Sequence, residues 1–153
     1  PFKLINIDYL YIDNDDLAKA KRNILVVVDY FTGKVFMEVV ENETAATATA
    51  FLVKVFADTG VLPETIRCDH GPQFVSSIIK RLTKAYHIHL HLTQSYVHHT
   101  NGSVERVNRH VQRVLRVLVD EFDVRPTDWT DLVPLVQFAI NQKPSARRGG
   151  YSP

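Results

Sequence analysis

Hydrophobic and polar positions follow two different periods along this chain, and the change of period predicts its elements. The first third contains three β-branched or aromatic stretches that are typical of strands: Phe2 to Ile12, Ile24 to Phe31 and Lys34 to Val40. Thr32-Gly33 is a turn signal, so the second and third stretches are expected to pair as a hairpin. The region of Asp13, Asp15 and Asp16 is expected to be a solvated loop.

From Thr44 onward the spacing becomes helical, interrupted by two short strand-like runs. Thr44 is suited to cap a helix that Gly60 closes. A later helix is predicted from apolar positions at helical spacing: Val104, Val107, Val111, Val114, Leu115, Leu118, Val119 and Phe122. The other predicted elements are a helix over Ala45 to Asp58, a strand over Pro63 to Asp69, a helix over Phe74 to Tyr86, a strand over His87 to Leu92, and a helix over Trp129 to Asn141 with Thr127 or Asp128 as its cap. The order βββαβαβαα predicts an α/β fold, with a five-stranded mixed sheet and helices on both faces.

Length and composition restrict the class of protein. A chain of 153 residues with 45% hydrophobic and 23% charged residues predicts one folded domain over 1–153, and the opening Pro1 suggests a domain cut from a longer chain. The longest aliphatic run, Ile24 to Val28, is far shorter than the roughly 20 residues of a membrane span, so no membrane association is expected. The single cysteine, Cys68, excludes an internal disulfide framework.

Charge is distributed unevenly although the formal net charge is only +1. An excess of basic over acidic residues lies in the C-terminal third, where a basic surface would favour nucleic acid. The basic residues there are Arg106, Arg109, Arg113, Arg116, Arg125, Lys143, Arg147 and Arg148.

Three carboxylates are candidates for chemistry because of their positions. Asp8 lies in the first predicted strand, Asp69 ends the fourth, and Glu105 lies near the start of the long helix. If the first and fourth strands are neighbours, the three carboxylates converge and require a cation, for which oxygen ligands favour Mg²⁺ or Mn²⁺. Two such ions would serve phosphoryl transfer. The plain alternative is that these acids cap helices or interact with helix dipoles.

The residues around these carboxylates carry a family resemblance. Thirty-five residues separate Asp69 from Glu105, and the flanks read Cys68-Asp69-His70-Gly71-Pro72-Gln73-Phe74 and Thr100-Asn101-Gly102-Ser103-Val104-Glu105-Arg106-Val107-Asn108-Arg109. These flanks resemble the second and third blocks of the D,D-35-E integrase catalytic core of retroviruses and LTR retrotransposons. Ile7-Asp8-Tyr9 matches the first block more loosely, and the closing segment from Asn141 resembles that of gypsy-type elements.

The resemblance implies an RNase H-like fold and an enzyme that integrates DNA by polynucleotidyl transfer. The three carboxylates would be catalytic and would hold two Mg²⁺ or Mn²⁺ ions. DNA would be the partner, the protein would form a homo-oligomer, and it would act in the nucleus after a cytoplasmic particle stage. The candidate DNA-binding residues are Gln73, Asn108, Arg109, Gln112, Arg113 and Arg116. For the charged helical positions the alternative is a solvated helix face.

Two other functions and one other site remain open at the level of sequence. An RNase H-like nuclease is disfavoured because Ala45 to Ala57 contains no acid, and a non-catalytic DNA-binding or assembly module from a decayed element is the remaining alternative. His87, His89 and His91 alternate with apolar residues, which predicts the outward face of a half-buried strand more strongly than a zinc site. Asp29, before the Thr-Gly turn, is expected to have a hydrogen-bonding role.

Overall fold

The computed structural model describes residues 1–12, 17–93, 102–144, 149–150 and 152–153, with side chains from Glu105 onward in the third range. The predicted loop at Asp13, Asp15 and Asp16 lies outside these residues, as does the Arg147-Arg148 pair. The strands are β1 (Leu4–Leu10), β2 (Asn23–Asp29), β3 (Val35–Val40), β4 (Thr65–Cys68) and β5 (His89–Leu92). The α-helices are α1 (Ala45–Thr59), α2 (Ser77–Ala85), α3 (Gly102–Glu121) and α4 (Val133–Asn141), with short 3-10 helices at Leu17–Ala20 and Pro126–Leu132. The predicted order βββαβαβαα is confirmed.

The five strands form one mixed sheet in the order β3-β2-β1-β4-β5. β2 pairs antiparallel with both β1 and β3, as the predicted hairpin requires, whereas β4 pairs parallel with both β1 and β5. The apolar run of β2 is buried on both faces, which explains why it reads as a continuous hydrophobic stretch rather than an alternating one. β1 is therefore the central strand, with β4 beside it.

Helices cover both faces of the sheet and divide the hydrophobic core in two. On one face, Ile5, Ile7 and Tyr9 of β1 pack in the same core as the buried residues of α1 and α2. On the other face, Leu10 shares a core with Val111, Leu115 and Val119 of α3 and with residues of α4. No helix in the described part of the chain is both long and apolar enough to cross a bilayer.

Local signals predicted both ends of α1, but for the last helix they predicted only the end at Asn141 and not the start. Thr44 caps α1 by accepting a hydrogen bond from the Thr47 N–H, and Gly60 ends it in the left-handed conformation with φ 65°. The predicted caps of the last helix, Thr127 and Asp128, were wrong. Pro126 begins a 3-10 helix there, and α4 starts only at Val133, without a side-chain cap.

Of three further sequence predictions, two need correction and one is confirmed. Phe122 was assigned to the apolar face of α3 but is 56% exposed, because it lies just beyond the helix end at Glu121. α2 begins at Ser77 rather than Phe74, since Ser76 caps it and Phe74 is buried in the preceding turn. Asp29 is fully buried and accepts hydrogen bonds from the Phe2 N–H and from Thr32, which confirms its hydrogen-bonding role.

Candidate active site

The pairing of β1 with β4 aligns the first two candidate carboxylates. The parallel register is recorded as far as Asn6 opposite Arg67. Continuing it by two residues along each strand places Asp8 opposite Asp69. Asp69 directly follows the last residue of β4, so the pair lies at the carboxyl ends of two adjacent parallel strands.

Strand alternation determines which face of the sheet carries this pair. Asp8 has the parity of Leu10, which lies in the core beneath α3 and α4. Ile7 and Tyr9 have the opposite parity and pack toward α1 and α2. Asp8 therefore faces α3, the helix that carries the third candidate carboxylate.

The first turns of α3 bring a polar side chain into contact with Asp8. Asn108 donates a hydrogen bond from Nδ2 to Oδ2 of Asp8 at 3.4 Å, and the Tyr9 N–H donates to Oδ1 of Asp8 at 2.9 Å. Glu105 lies one turn earlier on α3 and is exposed. The side chains thus converge from β1, the end of β4 and the start of α3.

The three carboxylates share one electrostatic field. The pKa of Asp8 is raised from its ordinary 3.8 to about 6, first by burial and then by the negative charge of Asp69, with a smaller contribution from Glu105. The Tyr9 N–H and Asn108 act in the opposite direction because they donate hydrogen bonds to the carboxylate. Uncompensated negative charge of this kind is the environment that a divalent cation relieves.

The turn after β4 fixes the other carboxylate of the pair. Oδ1 of Asp69 accepts a hydrogen bond from the Gly71 N–H at 2.8 Å. A Cβ on residue 71 would collide with the side chain of Gln73 and would lie 2.9 Å from Asp69 Oδ1. An alanine at residue 71 would therefore force the Gln73 and Asp69 side chains to move, and Gln73, a predicted DNA-binding residue, folds back over the turn.

The predicted DNA-binding residues of α3 fall into two groups. Arg109, Arg113 and Arg116 are exposed, as a surface that meets phosphates requires. Asn108 instead contacts Asp8, and Gln112 donates from Nε2 to the backbone carbonyl of Tyr11 at 2.9 Å. Two of the predicted DNA-binding residues therefore connect α3 to β1 and to the residue just after it: Asn108 contacts Asp8, and Gln112 contacts Tyr11.

A network at the rim of the site was missed by sequence reasoning. The Tyr11 hydroxyl donates to Oε2 of Glu43 at 2.8 Å, and Nδ2 of Asn23 donates to Oε1 of the same carboxylate at 2.8 Å. These three residues come from separate parts of the chain and share no spacing or motif. Only the tertiary fold could reveal the network.

The chemistry of the candidate ligands supports a metal at this site, although their side chains do not form a ready-made cluster. Among the residues with described positions, no three histidine, cysteine or acidic side chains are gathered tightly enough to hold an ion. Asp8, Asp69 and Glu105 nevertheless offer only oxygen ligands, which suit Mg²⁺ or Mn²⁺. Of the three histidines considered for zinc, His89 and His91 project from the exposed side of β5 with ring centroids 6.3 Å apart, and His87 precedes that strand.

Solved structures resemble this fold closely. The HTLV-2 integrase catalytic core domain in complex with magnesium superposes with a TM-score of 0.81 at 22% identity, covering 99% of this chain and 93% of that one. The catalytic core domain of BIV integrase gives 0.77 at 22% identity, covering 99% and 91%. Together with the sheet order and helices on both faces, these matches define the RNase H-like class of fold.

Sequence comparison identifies the family within that class. The profile described as Integrase core domain matches residues 1–98, and the chain belongs to this family. Its relatives include the Pro-Pol polyprotein of Simian foamy virus type 3 (strain LK3), 32% identical over 157 aligned positions that cover 100% of this chain and 13% of the polyprotein. The Pol polyprotein of Radiation murine leukemia virus (strain Kaplan) is 31% identical over 121 positions, 79% of this chain and 20% of that protein.

The chain therefore spans about a fifth or less of the polyproteins it matches. These relatives are retroviral, and the origin from a gypsy-type element stays a prediction.

Proposed function

We propose that this chain is the catalytic core of an integrase that joins the DNA of a retroelement to target DNA by polynucleotidyl transfer. The observation that carries the proposal is that Asp8 interacts electrostatically with both Asp69 and Glu105, as expected when the β1–β4 register is continued by two residues beyond Asn6 and Arg67. Membership of the Integrase core domain family supports the same reaction class. We propose further that residues 1–153 form one domain of a longer polyprotein.

The reaction has two steps in which atoms balance without a covalent enzyme intermediate. In the first, the oxygen of water bonds to a phosphorus near the 3′ end of the element's DNA, and the bond between that phosphorus and the 3′-oxygen of the retained strand breaks. The retained strand then ends in a free 3′-hydroxyl, which takes a proton from the water, and the departing nucleotide carries the 5′-phosphate. In the second, that 3′-hydroxyl attacks a target phosphodiester and displaces the 3′-oxygen of the target strand. Each step replaces one oxygen on phosphorus by another: the oxygen of water enters in the first step, and the 3′-oxygen of the element's DNA enters in the second.

Asp8, Asp69 and Glu105 would hold Mg²⁺ or Mn²⁺, in a pair of ions. When bound, such ions activate the attacking hydroxyl and stabilise the leaving oxygen. The magnesium recorded in the HTLV-2 structure supports this choice of metal. Asn108 orients Asp8 through its hydrogen bond, and the Gly71 N–H orients Asp69, so both carboxylates are positioned before DNA arrives.

DNA would lie along the exposed arginines of α3. Arg109 is one helical turn beyond Glu105, so a phosphate near the scissile bond would meet its guanidinium. The HTLV-2 core domain is described in dimeric and trimeric forms, which supports a homo-oligomer here. We also propose that the protein acts in the nucleus after a stage in a cytoplasmic particle.

The test replaces one candidate ligand and compares it with a matched substitution on the same helix. Glu105→Gln removes a negative ligand with almost no change of shape, whereas Glu121→Gln makes the same change at the exposed far end of α3. In a strand-transfer assay of the full-length protein with Mg²⁺ or Mn²⁺, Glu105→Gln should abolish joining and Glu121→Gln should retain it. DNA affinity and thermal unfolding should be nearly unchanged in both.

Joining at the wild-type rate in Glu105→Gln would remove this residue from the mechanism. Absence of joining in the wild-type protein, with DNA binding retained, would favour the non-catalytic module. Cleavage of an RNA–DNA hybrid in place of joining would favour the nuclease.

A further inference from the structure

An aromatic ring is held in a fixed orientation at the end of β1. Tyr11 is 57% exposed, yet its hydroxyl donates to the Glu43 carboxylate at 2.8 Å, and Glu43 is itself fixed by Asn23. The backbone carbonyl of Tyr11 accepts a hydrogen bond from Gln112 of α3. The residue is thus tied at both its hydroxyl and its backbone, while its ring remains open to solvent.

Tyr11 lies at the same edge of the sheet as the carboxylate pair. Tyr11 follows Asp8 by three residues, immediately after β1 ends at Leu10. The pKa of its hydroxyl is raised to about 12, chiefly by the hydrogen bond to Glu43 and by burial, and the charges of Asp69 and Asp8 contribute to the same shift. Gln112, which donates to the Tyr11 carbonyl, lies about one helical turn beyond Asn108, which contacts Asp8, so Tyr11 borders the carboxylate site through α3 as well as through β1.

We propose that Tyr11 is a positioning residue whose ring stacks against a nucleobase at the DNA end held at Asp8 and Asp69. This inference rests on the proposed function, because it requires DNA at the carboxylate pair. Stacking on an aromatic ring tolerates any base sequence, since every base has a π face. A ring already fixed by hydrogen bonds loses little conformational freedom when a base stacks on it.

The charges around Tyr11 select a base over a phosphate as its ligand. The Glu43 carboxylate accepts from the Tyr11 hydroxyl, and the charges of Asp69 and Asp8 act on that hydroxyl in the same direction, so the negative charge near the ring repels a phosphate that no cation accompanies. A neutral base meets no such repulsion. A protein partner that relies on apolar burial is disfavoured as well, because the contacts of Tyr11 with Glu43 and Gln112 are polar.

The experiment compares three variants on a DNA duplex with 2-aminopurine at the terminal nucleotide of the reacting end. Tyr11→Leu removes the ring and keeps an apolar side chain, and Tyr11→Phe keeps the ring and removes the bond to Glu43. Tyr30→Leu is the matched control, since Tyr30 is 52% exposed but lies in the turn after β2. Fluorescence quenching, the KM and kcat of strand transfer, and thermal unfolding are measured for each full-length protein.

Stacking predicts that wild type, Tyr11→Phe and Tyr30→Leu quench the probe on binding and Tyr11→Leu does not. The KM for DNA should rise about tenfold in Tyr11→Leu, within the range for one base–aromatic stack, while kcat changes less. Equal quenching in Tyr11→Leu and wild type would overturn the inference. Equal loss in Tyr11→Phe and Tyr11→Leu would also overturn it, because the hydroxyl and not the ring would then be responsible.

DNA joining and DNA binding by the wild-type protein distinguish failure of the stacking role from failure of the proposed function. If wild type joins DNA and Tyr11→Leu behaves identically, only the stacking role fails. If wild type neither joins nor binds DNA, the proposed function fails, and the inference fails with it.

Discussion

Asn108 donates a hydrogen bond to the carboxylate of Asp8 across a sequence separation of 100 residues. The bond connects the central strand β1 to the helix that carries Glu105, and its geometry depends on how α3 packs against the sheet. Oδ1 of Asn108 is buried without a hydrogen-bond partner among the described residues, so the side chain is committed to Asp8 through its donor alone. Asn108 therefore acts first on a carboxylate rather than on DNA.

Replacing Asn108 should weaken metal binding more than DNA binding. In Asn108→Ala the Asp8 carboxylate loses its orienting donor, and removal of such a partner typically lowers metal affinity or activity about 10–100-fold. Mg²⁺ affinity by calorimetry and strand-transfer rate should fall together, with DNA affinity within about twofold. Asn42→Ala, an exposed substitution outside the site, should leave all three unchanged. Unaltered Mg²⁺ affinity in Asn108→Ala would contradict this role.

Asp8 should make the metal-free protein less stable as pH rises. Its folded pKa of about 6 lies above its ordinary 3.8, so the folded state holds the proton more tightly than the unfolded state does. The stabilising contribution of Asp8 to folding is complete below pH 3.8 and is lost as the pH rises through about 6. A pKa shift of that size corresponds to at most about 3 kcal/mol of unfolding free energy, and because Asp8 is partly exposed we expect about 1–2 kcal/mol.

Asp8→Asn tests that dependence directly. The variant should unfold at higher urea than wild type at pH 7.5 without metal, and the two should converge near pH 3.5. Its new amide can donate to Oδ1 of Asn108 once that side chain flips, which preserves local packing. Added Mg²⁺ should narrow the difference at pH 7.5 by stabilising only the wild type. A wild-type protein that gains stability between pH 4 and 6 relative to Asp8→Asn would reverse the assigned sign.

Replacing two glycines by alanine should affect two different properties: activity at Gly71 and stability at Gly60. Gly71→Ala places a Cβ against Gln73 and 2.9 Å from Asp69 Oδ1, so strand transfer should fall about tenfold or more through displacement of the carboxylate. Gly60→Ala meets open space but must adopt φ 65°, so the unfolding free energy should fall by about 1 kcal/mol with activity intact. Measuring both properties in both variants checks the assignment. Full activity in Gly71→Ala would show that the turn tolerates the extra carbon.

Arg109→Ala should reduce DNA affinity without affecting metal. If the guanidinium meets a phosphate, the salt dependence of binding should weaken by about one phosphate contact. Arg81→Ala removes the same charge from α2, on the opposite side of the sheet, and provides the control. DNA affinity measured across a range of salt concentrations distinguishes the two. Identical slopes for wild type and Arg109→Ala would make the arginines of α3 a solvated surface.

Local sequence was sufficient to predict those elements whose structure depends on only a few neighbouring residues. The β-branched run of β2, the Thr-Gly turn and the Thr44 and Gly60 caps of α1 act over a few residues, and each lies where the pattern predicted. The last helix was harder because Pro126 supports a 3-10 helix as readily as an α-helical start, and α4 has no side-chain cap to mark it. Phe122 follows the helical period of α3 but lies beyond its final turn.

The element order and the three candidate carboxylates follow from periodicity and from the motifs around Asp69 and Glu105, which are local properties of the chain. The tertiary packing places β1 beside β4 in a register that, continued by two residues, sets Asp8 opposite Asp69. It also assigned Asn108 to Asp8 and Gln112 to Tyr11, since both contacts cross about 100 residues of chain. Such contacts depend on how helices pack over a sheet, and no spacing within one segment encodes them.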